Sequence, residues 1–298
     1  MTVPGGLDAV AIRASGAGAR RRRGVRDRVG SLEAVAGLVV LALLATCAIA
    51  APVLAPYPPT EISLAGAGAP PSAQHWFGQD QIGRDILTRV MYGARLSLVV
   101  GLIAVGIALV VGAPVGLIAG YAGGGVDLLV MRVIDVMMAF PSILLAILVV
   151  AVLGPGLENA MIAVGIAAIP LFARLMRASV LSIKEVDYVV AAQALGQPTP
   201  WILMRHVAPN CLAPLVIQAT LRVGTAILTA ASLSFLGLGV QPPTPEWGAM
   251  VSEGRTYITT APHVTIFPGL AIVVTVLGFN ILGDALNDRL NPRLRRAA

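Results

Sequence analysis

Few residues of this 298-residue sequence are of the types that carry out chemistry, because Lys, Arg, Asp and Glu make up only 12% of it. The two cysteines, Cys47 and Cys211, have no His or Cys at ligand spacing, so we expect neither a metal site nor a disulfide framework. The sequence contains no Gly-x-x-x-x-Gly-Lys-Ser/Thr phosphate loop and no pair of catalytic carboxylates. We therefore expect a non-catalytic chain that binds no cofactor and does not itself hydrolyse ATP.

The ionisable residue that stands out is Arg222, because it lies inside an otherwise apolar segment. Ionisable residues in such segments are functional candidates, since an arginine that faces lipid is costly. A structural role, with Arg222 reaching toward the interface and pairing with Asp135, carries equal weight. We expect Arg132 and Asp135, three residues apart, to form an ion pair on one helix face.

Membrane-spanning helices are the elements that must carry these residues. Hydrophobic residues make up 57% of the sequence, and its charged fraction is half of the roughly 25% usual in soluble domains, which excludes a soluble enzyme. A span needs about 20 apolar residues. The shortest candidate, 159–173, reaches that length if Arg174 or Arg177 extends to the interface. The predicted spans are 34–54, 96–126, 136–157, 159–173, 211–236 and 256–283.

The first two spans have further features. An uncleaved span is favoured over a cleaved twin-arginine signal for 34–54, because its apolar run exceeds the roughly 7 to 15 residues of a signal peptide. Glycines recur along the second span and are expected to allow close helix packing. They are Gly101, Gly106, Gly112, Gly116 and Gly120.

The positive charges predict the orientation, because cytoplasmic loops retain Lys and Arg. With the N-terminus inside, sixteen of the 21 basic residues fall on the inner side and four on the outer side, with Arg222 within a span. Both termini are therefore predicted to be cytoplasmic. The net charge of +6 is explained in this way, and nucleic acid is not an expected partner.

The chain is expected to divide into tails, a peripheral span and a core. The loop after the first span becomes amphipathic from Gln81 onward and predicts a short helix on the outer surface. The predicted divisions are a basic tail (1–31), the first span (32–54), the outer loop (55–93), a core of five spans (94–286) that includes the cytoplasmic loop 182–210, and a C-terminal tail (287–298).

Loop 182–210 holds the most specific pattern. Ser182 and Glu185 have the spacing of a capping box, and Gly196 suits the end of a short helix. Ala191 and Ala192 lie within this helix, where small side chains let another protein approach the backbone closely. On spacing alone, the alternative that these are ordinary alanines of an alanine-rich protein carries equal weight.

This loop resembles that of the permease subunits of bacterial ATP-binding-cassette (ABC) importers, specifically the C-type permeases of dipeptide and oligopeptide importers. The family pattern is Glu-Ala-Ala, three residues, Gly, nine residues, Ile, one residue, Leu-Pro. Four positions match it: Ala191, Ala192, Gly196 and Pro209. Three replace its Glu, Ile and Leu: Val190, His206 and Ala208. Peptide permeases commonly depart in this way, with a His-x-x-Pro-Asn ending such as 206–210, so the departures indicate the subfamily.

Other segments resemble the same subfamily in the same order, and the resemblance covers roughly 32–293. They are 77–85, 92–98, 139–142, 232–239, 245–248 and 278–284.

The resemblance implies an all-α membrane protein with six transmembrane helices and the type I ABC importer permease fold, in the bacterial plasma (inner) membrane. It implies a multi-pass chain that forms half of a translocation pathway with a homologous B-type permease, as a heterodimer. One or two ABC ATPase subunits would use ATP and Mg²⁺, and an extracytoplasmic binding protein would deliver the substrate. The lipid bilayer surrounds the complex.

The resemblance also implies roles for individual residues. Those expected to couple to the ATPase are Val190, Ala191, Ala192, Gly196, His206 and Pro209. Those expected to dock the binding protein are Gly83, Arg84, Asp85 and Trp247, although the first three suit a cap of the outer helix equally well. Its position inside a span, and not the resemblance, leads us to expect Arg222 to face the pathway or the partner permease, with the structural role given above as the equal alternative.

The substrate follows from the resemblance only as a class. Dipeptides or oligopeptides are expected, and nickel chelates or glutathione are the alternatives for the same type of importer. An ATP-independent secondary transporter is less favoured, because no internal repeat relates the two halves of the sequence.

Overall fold

A computed structural model describes residues 32–290, so the predicted basic tail and residues 291–298 lie outside the described part. Within residues 32–290 the regular structure is helical, apart from one isolated bridge between Gln79 and Asp85. The helices are α1 (Leu32–Leu54), α2 (Ile86–Ala122), α3 (Gly124–Met138), α4 (Ser142–Leu153), α5 (Leu157–Ile183), α6 (Asp187–Ala194), α7 (Thr199–Ile202), α8 (Ala208–Phe235), α9 (Trp247–Gly254) and α10 (His263–Leu290), with 3₁₀ turns at Leu64–Gly66 and Arg255–Tyr257 and a π-helical segment at Leu203–Val207.

Five of these helical stretches are long and apolar enough to cross a membrane: α1, α2, α5, α7 through α8, and α10. Helices α3 and α4 make a sixth span when taken together, but they are bent by 93°. The break precedes α4 at Pro141, which has no backbone N–H and disfavours helical backbone at Phe140. The predicted all-α fold with six spans is confirmed, and the third span is broken rather than continuous.

Helix α2 begins ten residues before the predicted second span. The Asp85 carboxylate caps it by accepting a hydrogen bond from the backbone N–H of Thr88 at 2.8 Å. The short amphipathic helix expected from Gln81 onward is therefore not a separate element, because the chain from Ile86 already belongs to α2. The remainder of the outer loop holds the 3₁₀ turn Leu64–Gly66.

The bundle has two distinct ends. Loops 55–85 and 236–262 meet at one end, which we term the cap end, where Arg89 donates hydrogen bonds to the carbonyls of Pro59 and Pro243. Loop 184–198 lies at the opposite end, which we term the loop end. There Lys184 donates to the carbonyl of Gly120, in the last turn of α2.

Glycines bring α2 and α5 into backbone contact. A Cβ atom at Gly116 would lie 2.1 Å from the carbonyl oxygen of Ala173, closer than non-bonded atoms approach. Gly106 on the same helix differs, because a Cβ atom there would have no neighbour within 4 Å. Close packing is thus confirmed at Gly116 and does not extend to Gly106.

We expect Gly116→Ala to lower the melting temperature of the detergent-solubilised protein by several degrees, because the new methyl group forces α2 away from α5. Such overpacking costs about 1 to 3 kcal/mol. Gly106→Ala is the matched control and should hold or raise the melting temperature, since alanine favours a helix over glycine by roughly 0.5 to 1 kcal/mol. Equal melting temperatures for the two variants would contradict the packing described here.

Candidate functional site

Helix α6 at the loop end is closed by Gly196. This residue has φ +73°, which favours glycine. The backbone N–H of Gly196 donates to Gln193 and that of Gln197 donates to Ala192, the two bonds of a Schellman motif. The predicted capping box is not formed, because Ser182 still lies within α5 and α6 begins after Val186 with no side-chain cap.

The predicted alanine pair is split between two faces of α6. Ala192 and Val189 are buried and belong to the same apolar cluster as Ile202 and Val207. Ala191 is exposed, as is Val190 at 48%. Ala192 therefore attaches α6 to the bundle, whereas Ala191 lies on its free face.

Large apolar side chains are exposed on α6 and on the helical segment that follows it. Leu195 is 80% exposed and Met204 is 70% exposed. Large apolar side chains left exposed in this way are candidates for contact with another protein or with lipid. We term the following residues the loop-end surface: Tyr188, Val190, Leu195, Trp201 and Met204.

Side chains tie α6 to the spans on either side. Gln193 Nε2 donates to the hydroxyl of Tyr121 at 3.2 Å, which connects α6 to the end of α2. The ring of Tyr188 lies 6.2 Å from the ring of His206, measured between centroids. His206 is half-buried and Pro209 is exposed in the first turn of α8. These two residues connect the loop to α8 and do not belong to α6.

At the cap end, the residues expected to dock a binding protein are buried. Arg84 is 3% exposed and Asp85 is 4% exposed. Arg84 Nε donates to Asp80 and its Nη2 donates to Glu253, each at 2.5 Å. Asp85 caps α2 and also pairs with His75 Nδ1 at 2.9 Å, which favours the capping alternative.

Gly83 and Trp247 are buried for different reasons. Gly83 has φ +82°, and a Cβ atom there would lie 1.9 Å from the carbonyl oxygen of Ser63. The Trp247 indole is fully buried, and its Nε1 donates to the carbonyl of Val90 at 2.9 Å. Both residues pack inside the cap end and are not exposed for direct contact with a partner.

Four charges meet inside the cap end, and sequence reasoning missed three of them: Asp80, Arg89 and Glu253. Arg89 has a side chain that is 1% exposed, and its nitrogens lie 3.7 Å from Asp80 and 3.8 Å from Glu253. Asp80 and Arg84 are four residues apart in the non-helical turn before α2, so the spacing of helical ion pairs does not apply to them. Nothing local links either of them to Glu253.

A cavity of about 470 Å³ opens beside Arg222. Its walls come from α2 at Val105, the bend between α3 and α4 at Phe140, α5 at Pro170 and α8 at Thr229. Arg222 is the one charged residue among the described residues that line it. Small-molecule sites typically enclose about 300 to 1,000 Å³ with few polar groups, so this cavity has the size of a ligand site.

The acidic residues of α3 pair with α5 and not with the predicted partners. Asp135 binds Arg174 at 2.6 Å, so the predicted ion pair with Arg132 and the alternative pairing with Arg222 are both wrong. Asp127 accepts two hydrogen bonds from Arg177, at 2.5 and 2.6 Å. Helix α3 is thus joined to the half of α5 nearest the loop end.

No group of three or more His, Cys, Asp or Glu side chains within residues 32–290 is placed to hold a metal ion. Cys211 is buried and Cys47 is half-buried, and both are free thiols.

Family membership follows from the sequence as a whole. Residues 112–296 match the family described as "Binding-protein-dependent transport system inner membrane component". The chain belongs to this family. Residues 34–71 of this permease also match the "N-terminal TM domain of oligopeptide transport permease C". The inner-membrane, multi-pass location expected from the sequence is confirmed, and membership implies an ATPase and a binding protein as partners.

Curated relatives match this permease over most of its length. It is 50% identical to the "Dipeptide transport system permease protein DppC" of Alkalihalophilus pseudofirmus, across 88% of this chain and 86% of that protein. It is 47% identical to the "Di/tripeptide transport system permease protein DppC" of Pseudomonas aeruginosa, across 89% of each. It is also 50% identical to the "Glutathione transport system permease protein GsiD" of Pectobacterium atrosepticum, across 76% of this chain and 75% of that protein. The resemblance inferred from the motifs is confirmed.

A solved structure shares the fold. A chain of the inward-facing MetNI methionine ABC transporter superposes with a TM-score of 0.56 at 20% sequence identity. The match covers 68% of this permease and 96% of that chain. The predicted type I ABC importer permease fold is confirmed.

Proposed function

We propose that this permease forms half of the pathway of an ATP-driven importer and that its substrates are dipeptides or oligopeptides. The observation that carries the proposal is the identity of 50% to a dipeptide permease across 88% of the chain. The loop-end surface supports it, because an importer permease without a phosphate loop needs a site for an ATPase. Glutathione is the second candidate substrate, supported by the GsiD relative at 50% identity. Nickel chelates remain the alternative from the motifs alone.

In this proposal the loop end faces the cytoplasm and α6 is the coupling helix. The exposed Val190 and Ala191 contact the ATPase together with Leu195. Ala192 and Gly196 act indirectly, since one anchors the helix and the other ends it. The partner ATPases bind ATP and Mg²⁺, and this chain contributes no cofactor.

His206 and Pro209 transmit the movement of α6 to α8. They lie where the loop joins that helix, and the carbonyl of His206 accepts a hydrogen bond from Asn210 at 2.7 Å. Closure of the ATPases on ATP would shift the loop and reorient the spans as rigid bodies, which is one established form of switching. The pathway would then open alternately to the two sides of the membrane.

The remaining partners bind at the cap end and along the exposed side of α8. The binding protein docks at the cap end, where Gly83, Arg84, Asp85 and Trp247 support the surface from within. A homologous B-type permease completes the pathway as a heterodimer. Exposed apolar side chains of α8 such as Leu212 and Leu228 are available for that contact or for lipid.

The test is reconstitution of the permease with its B-type partner, the ATPases and the binding protein in proteoliposomes. We expect accumulation of radiolabelled dialanine that requires both ATP and the binding protein. Accumulation of glutathione but not dialanine would favour the second candidate. Uptake driven by an ion gradient without ATP would contradict the importer and favour a secondary transporter.

A further inference from the structure

Arg222 is a charged group for which the described part of the chain provides no partner. It is half-buried in the middle of α8 and lines the cavity. Its guanidinium makes no hydrogen bond or ion pair with residues 32–290, and the acidic residues of α3 are bound by Arg174 and Arg177. An unpaired guanidinium at membrane depth is costly, so its position requires water or an anion.

The other residues that line the cavity are apolar except for Ser142, Thr225 and Thr229. The hydroxyls of Thr225 and Thr229 line it, but each donates to a carbonyl of its own helix, at 3.0 and 2.8 Å. Met138 at the end of α3 and Phe140 in the bend between α3 and α4 contribute apolar wall. The cavity therefore suits a ligand with an apolar body and one anionic end.

A carboxylate is the anion that fits these features. The planar guanidinium fork binds a carboxylate through two parallel hydrogen bonds. A free peptide always carries one carboxylate at its C-terminus, and its side chains can contact the apolar walls. No acidic residue is among the described residues that line the cavity, so none of them pairs with the α-amino group.

We propose that Arg222 binds the C-terminal carboxylate of a peptide as it passes through the cavity. This inference rests on the proposed function, because it takes the cavity as part of the pathway. It makes Arg222 a substrate-binding residue of the permease itself, in addition to any selection by the binding protein.

The first test measures the charge of the cavity without transport. The assembled importer carries Thr229→Cys in a background with Cys47 and Cys211 replaced by alanine. The labelling rate by an anionic methanethiosulfonate reagent (ethylsulfonate) is divided by the rate with a cationic one (ethyltrimethylammonium). Arg222→Gln should lower this ratio about tenfold, as expected for loss of one nearby charge.

Two matched variants control this measurement. Arg222→Lys keeps the charge and should keep most of the ratio. Arg205→Gln removes an exposed arginine of the π-helical segment, outside the cavity, and should leave the ratio unchanged. An unchanged ratio in Arg222→Gln would overturn the proposal. Failure of both reagents to label the introduced thiol would also overturn it, because a site for a charged ligand must admit a charged reagent.

The second test measures uptake per assembled complex, with trialanine and glutathione as the probes. Arg222→Gln should lower the initial rate for trialanine at least fivefold, and Arg222→Lys should restore part of it. A fall for glutathione alone would contradict a peptide carboxylate. Loss of assembly with unchanged uptake per complex would assign Arg222 to the contact between permeases. If the wild-type complex transports neither of these probes nor dialanine, the proposed function fails, whereas the labelling ratio still reports on Arg222.

Discussion

Ala191→Arg is expected to abolish ATP-driven uptake while the variant remains folded in the membrane. Ala191 is exposed on α6 beside Val190, so the long charged side chain meets no atom of the permease core. It would instead hold the ATPase away from the loop-end surface. Disrupting a central interface position commonly costs about 2 kcal/mol or more, and about 1.4 kcal/mol corresponds to a tenfold change in affinity. We expect uptake and ATPase co-purification to fall at least tenfold.

Two variants of the same helix control this result. Ala191→Ser keeps a small side chain and should retain uptake. Ala192→Arg introduces the same charge at a buried position, so it should detach α6 from the bundle and increase protease cleavage in loop 184–198. Wild-type uptake and co-purification in a well-expressed Ala191→Arg variant would contradict the coupling role of α6.

Arg84→Met is expected to destabilise the cap end by about 3 to 5 kcal/mol, the usual cost of removing one partner of a buried ion pair. Arg84 binds both Asp80 and Glu253, so the variant leaves these two carboxylates with Arg89 as the remaining positive charge beside them. Thermal unfolding in detergent measures the loss. Arg95→Met in the same region of α2 is the matched control, since Arg95 is exposed and its replacement should shift the melting temperature little.

A second substitution tests the charge balance directly. Adding Asp80→Asn to Arg84→Met removes one of the unbalanced carboxylates, so the double variant should recover part of the lost melting temperature. Arg84→Met with the stability of Arg95→Met would show that the four charges do not stabilise the cap end. That result would not bear on the proposals for the cavity and for α6, because neither of these includes the four charged side chains.

The spans could be predicted from the sequence because a stretch of about 20 residues without charge can be read from it directly, with no knowledge of how the helices pack. This criterion missed the break at Pro141, since α3 and α4 meet within an uncharged stretch. The same criterion also missed the early start of α2. Arg84 and Arg89 are charged, and both lie against Glu253, which pairs with Arg84 from 169 positions away.

The loop end shows a similar division. The spacing of Ala191, Ala192 and Gly196 predicts the short helix and its terminating turn, because both depend on local backbone conformation. The split of the alanine pair depends on packing against Ile202 and Val207, which the spacing does not encode. The position of Arg222 in an apolar segment is visible in the sequence, but the cavity beside it is built from four separate segments.

Helix α5 gives the permease mechanical leverage. It extends from Leu157, whose preceding Gly156 bonds to Leu238 near the cap end, to Ile183 beside α6. At about 1.5 Å per residue this is a rod of about 40 Å. Pro170, in the cavity wall, lies halfway along it. A tilt of about 10° that pivots at Leu157 displaces the far tip by roughly 7 Å and the cavity wall by roughly half as much. In the proposed mechanism, a modest push on α6 would thus change the width of the pathway by about one atom's diameter, without any helix unfolding.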